Sequence, residues 1–197
     1  MSNKIIAVIP ARGGSKRLKR KNIQPIFGKP LIYWSIKACQ ESNFIDEIYV
    51  STEDTEISNI ATQYGAKIIK RPAGLADDHT PKMEAIRHAD KYIQESTNEK
   101  PHILVSVQAN SPELKSIDID KGIKLLIDNN LFEVISVNQD MIQNASFRVI
   151  KQSCLYNTFL SAHIGVVINE CTDVHTLMDI QDIEKKYTSV EHFNSPV

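Results

Sequence analysis

The run from Pro10 to Asn22 reads P-A-R-G-G-S-K-R-L-K-R-K-N, and its residue types are those that hold a phosphate chain. Gly13 and Gly14 let the backbone approach a ligand closely and can turn N–H groups toward an anion. Arg12, Lys16 and Lys21 supply fixed positive charge, and an arginine can engage two oxygens at once. Ser15 adds a hydroxyl donor. The set fits a di- or triphosphate. It is not a Walker A loop, because G-x-x-x-x-G-K-[ST] is absent, and it lacks the glycines of G-x-G-x-x-G. Charge alone leaves two other readings open, a solvated basic loop and a nucleic-acid contact.

The distribution of charge is more informative than its sum. No acidic residue precedes Glu41, whereas the same stretch carries Lys4, Arg12, Lys16, Arg17, Lys19, Arg20, Lys21, Lys29 and Lys37. A formal net charge of −1 argues against bulk nucleic-acid binding, which calls for a basic excess. A near-neutral chain with one end so basic points instead to a small, strongly anionic ligand. Trp34 and the tyrosines fall at core spacing, so no base-stacking platform is expected.

The elements that must position this loop follow from periodicity. Ile5–Ile9 is a continuous apolar run ended by Pro10, the pattern of a strand buried on both faces of a parallel sheet. Pro30 opens a helix to about Gln40. A strand (47–51), a helix (54–64) stopped by Gly65 and a short strand (67–70) follow. Thr80-Pro81 begins a helix to about Glu95, then come a strand (102–107), a helix (116–129) and strands at 133–137, 147–150 and 164–168. A last helix spans 177–187, with Thr176 as its N-cap and Asp179 in its first turn. Strands alternating with helices predict an α/β domain with a mostly parallel sheet and helices on both faces. Ligands of such sheets bind beyond the carboxyl ends of the strands, where the basic loop begins.

The 197 residues, 42% hydrophobic and 24% charged, suffice for one soluble domain, expected over 1–187 with a loose tail at 188–197. No apolar run reaches the ~20 residues of a membrane span, and the short run near the N-terminus does not make a signal peptide. Cys39, Cys154 and Cys171 are odd in number and far apart, which suits reduced thiols in a cytoplasmic protein. His79, His88, His102, His163 and His192 have no ligand-like spacing.

Five segments carry a resemblance. The strand followed by I-P-A-R-G-G-S-K-R-L-K-R-K-N and F-G-K-P-L, then V-S-T-E-D (50–54), R-P-A-G-L-A-D-D (71–78), V-Q-A-N-S-P (107–112) and D-V-H-T-L-M-D (173–179), are similar to those of the acylneuraminate cytidylyltransferases, the CMP-sialic acid synthetases and their relatives. The likeness covers about the first 115 residues and returns at the C-terminal helix. It implies a Rossmann-like nucleotidyltransferase fold and the reaction of CTP with a nonulosonic acid to give the CMP-sugar and pyrophosphate. By matching position, Arg12, Ser15, Lys16 and Lys21 hold the triphosphate beside Gly13 and Gly14, and Arg12 and Lys21 stabilise the leaving group. Asn22 reaches the ribose or phosphate region, Arg71 the cytosine, and Gln108 and Ser111 the acceptor sugar. Asp173 is the metal-binding, catalytic carboxylate. Asp78 reads as a turn or cap residue rather than a catalyst.

The chain departs from the family pattern at three places. The D-x-D metal pair is here Asp173-Val174-His175, which suits Mg²⁺ less well and Mn²⁺ better, unless phosphate and water complete the shell. Only a short stretch separates Pro112 from Asp173, so the lid and dimer arm are expected to be reduced, which leaves homodimerisation possible. Lys151 is a default candidate for the lid lysine. In Q-A-N-S-P, Ala109 and Asn110 replace Pro and Thr, and Glu113 follows where an acidic sugar would need Lys115 to offset it. A catalytically impaired nucleotide-binding protein with a regulatory or scaffolding role is the alternative reading.

Overall fold

The apolar run Ile5–Ile9 is buried along its whole length, as a strand flanked by neighbours and covered by helices must be. The computed structural model describes residues 4–77, 80–157 and 161–188. The first strand, β1 (Ile5–Pro10), is followed by the two-residue strands β2 (Pro25–Ile26) and β3 (Lys29–Pro30). Further strands are β4 (Glu47–Thr52), β5 (Lys67–Lys70), β6 (Ile103–Val107), β7 (Glu133–Val137), β8 (Gln143–Lys151) and β9 (Ile164–Ile168). The helices are α1 (Leu31–Gln40), α2 (Thr55–Gln63), α3 (Lys82–Thr97), α4 (Ser116–Asp128) and α5 (Leu177–Thr188). Asp78, His79 and the tail beyond 188, His192 included, lie outside the described residues.

The main sheet has the order β5-β4-β1-β6-β8-β7-β9. Pairings among β5, β4, β1 and β6 are parallel, as is β7 with β9. The expected α/β architecture is therefore present, with one difference. β8 is longer than its apolar centre indicated and runs antiparallel to both β6 and β7. The connection 138–142 is too short for a crossover helix, so the chain can only return as a hairpin. Strand order reverses beside β1, whose successors β4 and β6 lie on opposite sides of it. That reversal opens a crevice at the carboxyl ends of β1 and β6.

Two apolar clusters cover the faces of the sheet. One contains Ile9, Ile36, Ile57, Val105, Ile123 and Phe147, and the other Val8, Ile69, Ile86, Ile93 and Leu104. Gly122 lets α4 lie close, because a Cβ there would come within 2.8 Å of the Phe147 ring. A third, smaller cluster joins Leu18, Ile26, Leu31, Trp34, Val174, Ile180 and Ile183. It unites the basic loop, the β2–β3 hairpin and α1 with α5, which is remote from them in sequence. The hairpin turns on Phe27 (φ 49°) and Gly28 (φ 73°), the left-handed pair of a two-residue turn. Phe27 is held in that conformation by α5: its N–H donates to Glu184 Oε1 at 2.9 Å, and its ring meets Trp34 and Tyr187 edge-on. Thr176 and Asp179 cap α5 reciprocally, as expected.

Two expectations are corrected here. Glu113 does not face a sugar beside Lys115. It is buried and accepts bonds from Thr172 N–H (2.8 Å), Lys186 Nζ (2.6 Å) and Tyr187 OH (2.9 Å), so it anchors α5 to the segment after β6. Lys151 lies opposite Ile103, at the amino end of β6, and its ammonium donates to Asn130 Oδ1. The antiparallel course of β8 carries it to the edge of the sheet opposite the crevice.

Leu18→Ala should lower stability by about 2–3 kcal/mol through the cavity it leaves. It should also raise amide exchange in α5 more than in α2; uniform loosening would mean that the third cluster does not hold α5. Burial pushes the Glu113 carboxyl upward, but the Lys186, Thr172 and Tyr187 donors outweigh it and hold the group below the ordinary carboxylate range. A carboxyl held low contributes stability that is present above its unfolded value and lost as pH falls through the folded one. Glu113→Gln should cost about 1–3 kcal/mol at neutral pH and flatten the acid limb of a stability–pH curve. An unchanged acid limb would contradict the assignment.

Candidate active site

The carboxyl ends of β1, β5 and β6 converge on a cleft of about 630 Å³. Arg12, Ser15, Lys16, Lys21 and Asn22 line it from the basic loop, Arg71 from the segment after β5, Gln108 and Asn110 from the segment after β6, and His175 from the approach to α5. Lys82, at the start of α3, also lines it. Most of the residues singled out by sequence are thus gathered in one place. Gly13, Gly14, Ser111 and Asp173 are not among its lining residues.

The basic loop is braced from within. Ser15 N–H donates to Gly13 O at 2.9 Å, and the buried Asn22 donates its amide to Arg12 O at 2.9 Å. Asn22 thereby holds the loop closed. Gly13 differs from expectation: its N–H is bonded to Glu53 Oε1 at 2.8 Å and does not await an anion. A side chain at Gly13 would collide with the Asp54 carboxylate, so glycine is required by packing against the start of α2. Gly14 is exposed, with nothing near its missing Cβ. Arg71 is only 6% exposed, and its Nη2 donates to Glu53 Oε2 at 2.8 Å.

Two ammonium groups are destabilised in the cleft. Burial lowers the pKa of Lys21; Asp173 opposes that shift, and Arg17 and Arg12 add to it. Burial likewise lowers Lys82, again opposed by Asp173 and reinforced by Arg148 and Lys21. Lys82 is exposed as a residue, and its ammonium donates to Gln108 Oε1 at 2.6 Å. Burial makes both ammonium groups favour added negative charge nearby, which a polyphosphate would supply. Sequence reasoning missed Lys82, yet it carried a signal. A lysine in the first turn of a helix opposes the macrodipole, and there anions are favoured.

Asp173, whose charge acts on both lysines, is bonded to the segment after β6. Its Oδ1 accepts from Asn110 Nδ2, and its Oδ2 lies 3.2 Å from His175 Nε2. Asn110 also donates to Val174 O at 2.7 Å and accepts from Val174 N–H at 3.0 Å. The Asn in place of the family's Thr therefore clamps the D-V-H segment at several points. Val174 is fully buried, so the residues on either side of it project together away from the core. Asp173 and His175 offer one carboxylate and one imidazole, and no group of three His, Cys, Asp or Glu side chains able to hold a metal occurs among the described residues. That donor set fits an ion whose remaining ligands are phosphate and water oxygens, and does not make an all-protein cage. Ser111 departs from expectation: it is 1% exposed, its hydroxyl has no partner, and it does not reach the cleft. The turn after Asn110 directs it inward while Gln108 stays at the surface of the cleft.

A family model described as cytidylyltransferase matches residues 6–188. The chain is 37% identical over 127 residues to the pseudaminic acid cytidylyltransferase of Campylobacter jejuni strain 81-176, covering 64% of this chain and 54% of that protein. It is 34% identical over 136 residues to N-acylneuraminate cytidylyltransferase A of Danio rerio, covering 69% and 30%. It is 38% identical over 109 residues to the CMP-N,N'-diacetyllegionaminic acid synthase of C. jejuni, covering 55% and 46%. These matches span about half the length of the relatives, or less. Among solved structures, CMP:2-keto-3-deoxy-manno-octonic acid synthetase complexed with CTP superposes with a TM-score of 0.75 at 16% identity, over 94% of this chain and 99% of that one. A cytidylyltransferase from Leptospira borgpetersenii gives 0.67 at 15% identity, with complete coverage of both chains. At these identities the structural likeness establishes the fold. No described helix is long and apolar enough to cross a membrane.

Inorganic tripolyphosphate should bind the cleft and restore Lys21 and Lys82 toward the ordinary lysine range. Binding then takes up protons as pH nears the depressed range, and affinity falls as pH rises through it. Calorimetry in buffers of different ionisation enthalpy measures the uptake. Lys82→Met should weaken tripolyphosphate binding by about tenfold or more, the value of one charge-assisted hydrogen bond. Unaltered affinity and uptake in the variant would remove Lys82 from the site.

Proposed function

The chain belongs to the cytidylyltransferase family, and on that premise we propose that it transfers CMP from CTP to a sialic-acid-like nonulosonic acid, releasing pyrophosphate. The observation that carries the reading is the single cleft shared by the basic loop, Arg71 and the approach to α5. Its supporting context is the set of relatives named for pseudaminic, neuraminic and legionaminic acids.

In this reading the sugar hydroxyl attacks the α-phosphorus of CTP, and the bond to the β-phosphate oxygen breaks. Arg12, Lys16 and Lys21, with Ser15, hold the triphosphate and offset the charge that grows on departing pyrophosphate. Lys82 joins them from the start of α3. Such fixed donors are aimed before reaction begins, which is where the rate advantage of this chemistry lies. Arg71 reads the cytosine, and Gln108, held by Lys82, meets the acceptor sugar. When bound, Mg²⁺ or Mn²⁺ held by Asp173, with His175 beside it and phosphate oxygens completing its shell, supplies charge neutralisation at the α-phosphate and favours ionisation of the attacking hydroxyl. Asn110 and His175 keep the Asp173 carboxylate in place.

Pyrophosphate release from CTP, measured with neuraminic, legionaminic, pseudaminic and 3-deoxy-octulosonic acids, tests the reading. Release is expected with at least one nonulosonic acid. Asp173→Asn should abolish turnover while CTP affinity stays within about threefold, since an interaction made only in the transition state affects kcat. His175→Asp should keep or raise activity with Mg²⁺ relative to Mn²⁺. Tight CTP binding with no release for any acid under either metal would favour a nucleotide-binding protein over a transferase.

A further inference from the structure

We propose that Glu53 is a positioning residue for base selection, its two carboxylate oxygens tying the phosphate-binding loop to Arg71. The inference rests on the reading of the cleft as a CTP site and assigns a role to a residue that does not line it. Glu53 follows β4, between the basic loop and the segment after β5. Oε1 accepts the Gly13 N–H at 2.8 Å, and Oε2 accepts Arg71 Nη2 at 2.8 Å. Each oxygen serves one end of the cleft, so neither end can shift without breaking a bond to the other.

The placement of this acid is unexpected. The loop is built to attract anions, and a fixed negative charge beside it works against that purpose. The charge is accounted for by Arg71, whose side chain is 5% exposed and whose Nε is buried without a partner. A permanently charged guanidinium is tolerated at such burial only beside a counter-charge. Glu53 supplies it and spends its second oxygen on the loop. The Arg71 backbone is fixed too, through its N–H to Thr52 O at 3.0 Å. Backbone and Nη2 together restrict how the guanidinium can turn. A base reader gains discrimination from being fixed, because a mismatched base then leaves a buried donor or acceptor unpaired.

Glu53→Gln removes the counter-charge to Arg71 and replaces one of the two acceptor oxygens by an NH₂ donor, so the Gly13 and Arg71 bonds are not both kept in their present geometry. Calorimetric titration of CTP, UTP and inorganic tripolyphosphate is the test. The wild type should prefer CTP to UTP. In Glu53→Gln that preference should fall by about tenfold, the scale of one charge-assisted bond, while tripolyphosphate affinity holds or rises because a negative charge near the loop is gone. A preference kept within about threefold of wild type, well under that scale, or an equal loss for CTP and tripolyphosphate, overturns the proposal and leaves Glu53 a structural brace. If Glu53→Gln does not fold, the double variant Glu53→Gln/Arg71→Met removes the uncompensated charge. Its selectivity should match that of Arg71→Met alone, and an additional loss would overturn the coupling. A wild type without CTP preference would sink the CTP reading itself, and the inference with it.

Discussion

Burial of Val174 is the constraint on which the arrangement of the site depends. This side chain is fully enclosed with Leu18, Leu31, Trp34, Ile180 and Ile183, and it stands between Asp173 and His175. Leu18 in turn stands between Arg17 and Lys19 in the basic loop. Two strongly polar segments from opposite ends of the chain are thus held side by side by the apolar residue each carries at its centre. Burying one such side chain is worth about 1.5–3 kcal/mol, enough to hold a short segment in one conformation. Val174 N–H and C=O both bond to Asn110, so the backbone is satisfied where the side chain is buried. Asp173 and His175 are left on one side of the segment by alternation along it, with His175 lining the cleft and Asp173 beside it.

The same packing creates an electrostatic deficit. Lys21 and Lys82 reach the cleft from the basic loop and from the first turn of α3, and both lose solvent there. Asp173 relieves both only in part. Glu53, which accepts a loop N–H, is committed to Gly13 and Arg71. The cleft therefore holds more positive charge than its own acids balance, in an arrangement fixed by Asn22, Gln108 and Glu53. A site of this kind binds a polyanion with little reorganisation, because its charges are already brought together and partly dehydrated.

Some of this was legible in the residues and some was not. The apolar run of β1, the proline before α1 and the Thr176 cap act locally, and they appear where the spacing put them. Roles at the site were less legible wherever a side chain could turn two ways. Gln108 and Ser111 lie three residues apart in one matched segment, yet one lines the cleft and the other is buried. Glu113, expected near a sugar, instead bonds to Lys186 and Tyr187, more than seventy positions away. Lys82 was passed over because its place at the site rests on a bond to Gln108, from the segment after β6.

The sequence by itself determined the class of the fold, the basic loop at the end of the first strand and the family to which those segments belong. Each of these rests on short-range information: periodicity, caps, and a run of residue types with one chemical use. The tertiary structure alone decided the pairing of Glu53 with both Gly13 and Arg71, the bonds of Glu113 to Lys186 and Tyr187, and the clamp of Asn110 on Asp173. Those outcomes depend on which distant segments share a buried neighbour. Burial energy is indifferent to sequence separation, so no local pattern could specify them.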